Sequence, residues 1–424
     1  MRVWLIIASF VVAASARHEE YEGWSSYYVV PYDFGQLEAI NEIVQKYNLD
    51  VYGHPAIKRE GLVLVDPANK KNFTNALDEL NIKYRIHTKD MKAHLELEDK
   101  MFKDKVSPLP TRIGGRLPYD QYQSVQAIHQ YMDDIAAAHP NIARVVTPTV
   151  SFNGQPMKYM RISTTNFQDT RKPIIFLDGG MHGREWLSIP PVTYAINQLV
   201  ENVTDPDLLN RFDWILLPIV NPDGYRFSRD SSVTFRKTRS IIPGNQWSMM
   251  CPGVDLDRNF DFVWNTIGTS DHHCSYVFPG VAPFSEVEAR VVRDILHQHR
   301  NILMYITFSS FGSFIMYPWA FDGSLSDHAF RQHSVGISMA DAINRVKHPS
   351  FLPYRVGNAG LIRGSGMAGT SIDYAHSVGV PLAYTIDLPG VFGGYWMDPI
   401  WIEQVVIETW EGVRAGVRRA LATN

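Results

Sequence analysis

A chain of 424 residues, 45% hydrophobic and 20% charged, holds enough apolar material for one large domain and a smaller one. A formal net charge of -4 with no long run of like charge gives no electrostatic reason to expect nucleic acid or an anionic membrane as a partner. Peptides, proteins and small molecules remain as partner classes, and a monomer is expected.

The chain begins Met1-Arg2, continues apolar over 3–12 and reaches Ala14-Ser15-Ala16, the layout of a secretory signal covering 1–16. That stretch is shorter than the roughly 20 apolar residues that span a bilayer, so a secreted, extracellular protein is expected. Residues 17–100 read as a small α+β domain of order βαββαβ. Its parts are a strand at 27–30, a helix at 34–47, strands near Val51 and at 62–65, a helix at 72–80 and a strand at 82–87. The stretch 96–116 is charged and then rich in Pro and Gly, which predicts an exposed linker at 101–116. Arg112 and Arg116 offer cut sites to a trypsin-like activating protease. Asn72-Phe73-Thr74 and Asn202-Val203-Thr204 are glycosylation sequons, in keeping with export.

From 117 to 424 the pattern becomes that of an α/β domain. A helix reaches about residue 139, a strand covers 174–177, a helix 191–200 and a strand 214–220. Ser285-Glu286-Val287-Glu288 has the spacing of a capping box and opens a helix running to about 298. Apolar runs at 302–308 and 383–388 are short and β-rich, as expected of strands covered on both faces. The expected architecture is a mixed, mostly buried sheet with helices on both faces. His182 and Glu185, Asn221-Pro222-Asp223-Gly224, Ser309 and Asp387 all follow or end such strands, where α/β sheets place their sites. Cys251 and Cys274, the only cysteines, are expected to close a surface loop as one disulfide.

His182-x-x-Glu185 alone has the spacing of an ordinary surface ion pair. Its company gives it meaning. Asn221-Pro222-Asp223-Gly224-Tyr225, Phe235-Arg236-Lys237-Thr238-Arg239, Asp255-Leu256-Asp257-Arg258-Asn259-Phe260, Pro283-Phe284-Ser285-Glu286 and Gly369-Thr370-Ser371-Ile372-Asp373-Tyr374 follow in that order. Together they resemble the metallocarboxypeptidase A/B family with its propeptide, across essentially the whole chain after the signal.

The resemblance implies zinc held by two His and one Glu with a fourth position left to water, and a glutamate that takes that water's proton. It also implies an arginine that stabilises the oxyanion, an Asn-Arg pair that grips the substrate's terminal carboxylate, and a mobile tyrosine. Residue by residue, His182 and Glu185 match metal ligands, Arg184 a substrate-side arginine, Arg236 the oxyanion arginine and Arg258 the carboxylate clamp. Ile372 matches the base of the specificity pocket, which implies apolar or aromatic C-terminal side chains.

Five matched positions depart from the family pattern. The third ligand becomes Ser309, and the tyrosine of the same motif becomes Phe311. The catalytic glutamate becomes Asp387, the mobile tyrosine Ser365, and the clamp asparagine Asp257, whose charge repels a carboxylate. A neutral hydroxyl is a poor zinc ligand beside imidazole, so zinc binding is expected to be weak. Misplacing a catalytic group by about 1 Å costs on the order of a hundredfold in rate. His272 and His273 read as parts of the loop between the cysteines rather than as substitute ligands, and no other histidine sits at a matching strand end.

The leading expectation is therefore a secreted carboxypeptidase-family protein with impaired or absent hydrolysis. One alternative is an active carboxypeptidase of A-type specificity with an atypical metal site. The other is a non-catalytic binder of peptide or protein C-termini.

Overall fold

Alternation along one strand builds the first sheet. In β1 (Ser25–Val30), Tyr27 and Val29 pack on Ile40, Ile43, Phe73 and Leu77 of helices Phe34–Lys46 and Lys70–Glu79, while Tyr28 faces the opposite way. β1 pairs antiparallel with β3 (Gly61–Val65) and β4 (Lys83–Thr88), and β3 with β2 (Asp50–Gly53), giving the order β2-β3-β1-β4. The first helix starts where Asp33 accepts the Gln36 amide at 2.9 Å, the ordinary N-cap bond.

The structure, a computed structural model, describes residues 18–102, 116–390 and 397–422. The predicted signal, Arg112 and most of the predicted linker lie outside them. Arg116 lies inside, exposed and paired with Glu403 at 2.9 Å. One correction falls at the start of the stretch read as linker: residues Met91–Phe102 form a helix. Asp90 caps it by accepting the Ala93 amide at 3.0 Å, and Met91 and Leu95, one turn apart, are buried. The charged run after Leu95, with Glu96, Glu98, Asp99 and Lys100, hid the helical period.

The second sheet has eight strands in the order β11-β10-β12-β9-β7-β8-β6-β5. They are β5 (Ala143–Val150), β6 (Pro156–Ile162), β7 (Ile174–Asp178), β8 (Asp213–Leu217), β9 (Ile302–Ser310), β10 (Phe314–Tyr317), β11 (Arg355–Asn358) and β12 (Leu382–Leu388). β12, β9, β7 and β8 are mutually parallel at the centre, and antiparallel pairs flank them on both sides. Ile175 and Leu177 face helices Val125–Ala138, Pro190–Val200, Ala329–Val346 and Ile402–Ala422; Ile174 and Phe176 face helices Val287–Gln298 and Ser371–Ser377. Covering on both faces accounts for the unbroken apolar runs of the central strands.

Two further expectations change. The strand predicted at 214–220 ends at Leu217, since Pro218 has no amide to continue the ladder. The capping box does not form: the helix begins at Val287, the Ser285 hydroxyl donates to Glu286 Oε1 at 3.0 Å and accepts from Asn259, and Glu288 turns inward and is buried. Cys251 and Cys274 are bonded, as expected. No described helix is long and apolar enough to cross a membrane.

Candidate active site

The loop leaving β7 carries the first cluster, and glycines let it pass. Gly180 takes φ 63°, and a Cβ on Gly183 would lie 2.5 Å from the Gly224 carbonyl oxygen. The Gly183 amide bonds Arg236 O at 2.8 Å, and Asn221 Nδ2 donates to Met181 O at 3.2 Å and Lys237 O at 3.1 Å. Asn221 thus ties the loops behind the site together rather than facing the cavity.

His182 stands between two carboxylates, with Nδ1 2.8 Å from Glu185 Oε1 and Nε2 2.9 Å from Asp255 Oδ1. Burial and the Arg236 charge oppose its protonation, but Glu185 and Asp255 outweigh them and raise its pKa above the ordinary value. Arg236 bonds both Asp255 oxygens at 3.2 Å and lies 3.5 Å from Glu185 Oε1. Burial by itself would raise the Glu185 pKa, yet His182, Arg236 and the Ser309 hydroxyl bring it down to about 2.

Ser309 reaches this cluster from the end of β9. Its hydroxyl donates to Glu185 Oε2 at 2.6 Å, and the Ser310 amide joins the same oxygen at 3.2 Å. Ser309 and Asp387 are paired across the parallel strands β9 and β12. Asp387 Oδ2 accepts from Arg363 Nη2 at 2.7 Å, and burial pushes its pKa up to about 6 against the pull of that guanidinium.

His182, Glu185, Arg236, Asp257, Arg258, Ser309, Phe311, Ile372 and Asp387 line one cavity of about 50 Å³. An adjoining cavity of about 440 Å³ holds Ser365 and Arg184. Arg184 is turned to the first domain: it bonds Asp50 through both terminal nitrogens, at 2.5 and 2.8 Å, and is 1% exposed. Arg59 of the first domain donates to Gly312 O at 2.6 Å, Ser313 O at 3.1 Å and Pro353 O at 2.9 Å. The Phe311 ring packs where a Cβ on Gly53 would stand.

Three participants were missed from the sequence. Asp255 lay inside a quoted motif, where its alternation with Asp257 was the available signal. Arg363 belongs to no motif. His54 belongs to no motif either: it follows β2 in the first domain and lines both cavities. Burial, with Arg363, Arg236, Arg258 and Arg184 nearby, holds its pKa well below the usual range, so it is neutral there.

Of the positions matched to zinc ligands, His182 and Glu185 carry donors that could hold the ion, and the third, Ser309, carries a neutral hydroxyl. Ser309 spends its proton on Glu185, and among the described residues no group of three or more His, Cys, Asp or Glu is placed to hold a metal. His272 and His273 stay with the loop, His272 against the Trp247 ring and His273 against Phe278.

The family description "Zinc carboxypeptidase" matches residues 128–412, and "Carboxypeptidase activation peptide" matches 27–98. The chain is 50% identical over 422 residues to "Carboxypeptidase B" of Helicoverpa zea, covering 98% of each. It is 35% identical over 302 residues to "Carboxypeptidase B" of Astacus astacus, covering 70% of this chain and 96% of that one. The solved carboxypeptidase A from Helicoverpa armigera superposes with a TM-score of 0.88 at 37% identity, covering 96% of this chain and 99% of that one.

Proposed function

This chain belongs to the zinc carboxypeptidase family with an N-terminal activation peptide domain, and we propose that it is a member whose peptide hydrolysis is impaired. The observation that carries this reading is the Ser309 hydroxyl bonded to Glu185, in the position where the family's third metal ligand is matched. With His182 and Glu185 as its remaining ligands, zinc is bound weakly. Asp387 is one methylene shorter than the family's glutamate and has one carboxylate oxygen held by Arg363, which sets it back from a water at the metal position. The domains are 17–100, a linker at 101–116 and 117–424, with a signal over 1–16 directing export and Arg112 or Arg116 open to an activating trypsin-like protease. Candidate ligands are peptide or protein C-termini, and the buried Ile372 at the cavity supports an apolar terminal residue.

The test is release of phenylalanine from an N-blocked dipeptide by the full chain, before and after trypsin treatment. Turnover on the order of 10 per second, ordinary for an enzyme, would sink the proposal. A working exopeptidase is the second reading, favoured by the 50% identity to a relative named "Carboxypeptidase B". It requires a stoichiometric metal ion in the purified protein.

A further inference from the structure

Asp257 and Arg258 leave the short turn Leu256–Arg258 side by side and line the smaller cavity together with Ile372. Backbone bonds fix both. Asp257 Oδ1 accepts the Ser371 amide at 2.8 Å. Arg258 donates from Nε to Gly268 O at 3.1 Å and from Nη1 to Asp257 O at 3.0 Å. No ion pair joins the two side chains among the described residues. Asp257 Oδ2 and Arg258 Nη2 have no hydrogen-bond partner there.

The cavity therefore presents a carboxylate oxygen of Asp257 next to the N–H groups that remain on Arg258. A free carboxylate can pair with those N–H groups, but it then stands beside the Asp257 carboxylate, two groups of like charge in one enclosed site. A primary carboxamide brings one acceptor and one donor. Its carbonyl takes the Arg258 N–H and its NH2 group gives a proton to Asp257, so each polar group is paired. The rest of the wall near Ile372 is apolar, with Met316, Ala320 and Met367.

We propose that this cavity binds peptides ending in a carboxamide, with an apolar last side chain, in preference to peptides ending in a free carboxylate. The inference rests on the reading above, in which the site binds C-termini without efficient hydrolysis. The larger cavity shares His54, Arg236, Arg258 and Met367 with the smaller one, so the two adjoin at Arg258.

Titration calorimetry on the full chain with N-acetyl-phenylalaninamide and N-acetyl-phenylalanine tests it, at pH 8 to favour the ionised form of Asp257, whose pKa burial raises. The amide is expected to bind at least about tenfold tighter than the acid. The acid places a second negative group beside Asp257, and the tenfold ratio corresponds to about 1.4 kcal/mol. Asp257→Asn, which turns the acceptor into a donor, reverses the order. Equal or tighter binding of the acid by the parent, no binding of either probe, or an unchanged ratio in D257N overturns the proposal. Should D257N fail to fold, the parent ratio still decides. Rapid cleavage of a blocked dipeptide would defeat the impaired-enzyme reading while leaving this ratio to be read independently.

Discussion

Ser309→His asks whether one donor separates this site from a metal centre. The Ser309 hydroxyl lies 2.6 Å from Glu185 Oε2, and Glu185 Oε1 lies 2.8 Å from His182 Nδ1, so an imidazole at 309 would face the other two ligands. Four-ligand zinc sites in small peptides contribute about 10–16 kcal/mol, or about 3 kcal/mol per ligand, and a third strong donor should tighten binding by about a hundredfold or more. Two effects oppose it. The charge-assisted Ser309–Glu185 bond, of about 1.5–3 kcal/mol, is lost. His182 must also give up the proton that Glu185 and Asp255 favour. Metal-free S309H should therefore be about 2 kcal/mol less stable than the parent, and zinc should restore it by mass action. Elemental analysis after dialysis against equimolar zinc, with melting curves in chelator and in zinc, reads both effects. The parent should retain well under one equivalent and the variant close to one, with a zinc-dependent rise in Tm confined to the variant. A parent holding a full equivalent, or a variant that takes up no more than the parent, refutes the reasoning.

Glu288 is buried with Oε1 unpartnered, and burial followed by the nearby Glu286 charge pushes its pKa up to about 8 from 4.5. The folded state thus keeps a proton that the unfolded chain releases, so this contribution is fully present below pH 4.5 and is lost as pH rises towards 8. At about 1.36 kcal/mol per unit the loss approaches about 4 kcal/mol, and Glu288→Gln should flatten that slope in denaturant titrations at pH 5 and pH 8; an unaltered slope counts against it. Asp50→Ala leaves the Arg184 guanidinium buried without its counter-charge, so unfolding of the full chain should be easier by about 3–5 kcal/mol, and a loss below about 1 kcal/mol would contradict that.

The central strands and both helices of the first domain were legible because burial on two faces, or on one, writes a period into the residues. Ile174 and Phe176 against Ile175 and Leu177 are the clearest case. Met91–Phe102 escaped because two buried residues a turn apart carry little weight amid charge. Ser285 and Glu288 misled because their spacing matches a cap, whereas Asn259, far away in sequence, had already engaged the serine. In the site, order along the chain located His182, Glu185, Ser309 and Asp387. It could not locate Arg363, which reaches Asp387 from the helix Ala359–Arg363, or His54, which enters from another domain. Contacts of that kind depend on how whole elements dock, and no local pattern encodes them.

Three of the departures in the site, Ser309, Asp387 and Phe311, have a neighbour that accommodates them. The Ser309 hydroxyl and the Ser310 amide satisfy the Glu185 oxygen that would otherwise be buried without a partner. Asp387, one methylene shorter than glutamate, is held by Arg363. Phe311, lacking a hydroxyl, fills the space that Gly53 and Gly390 leave open, where any Cβ would overlap its ring. Buried polar groups are costly when unpaired, so the single reversion Ser309→His breaks the Ser309–Glu185 bond that now satisfies a buried oxygen. S309H should accordingly regain metal without regaining rate, because Asp387 and Arg363 remain joined, and only a variant that also lengthens Asp387 and removes Arg363 addresses the proton transfer.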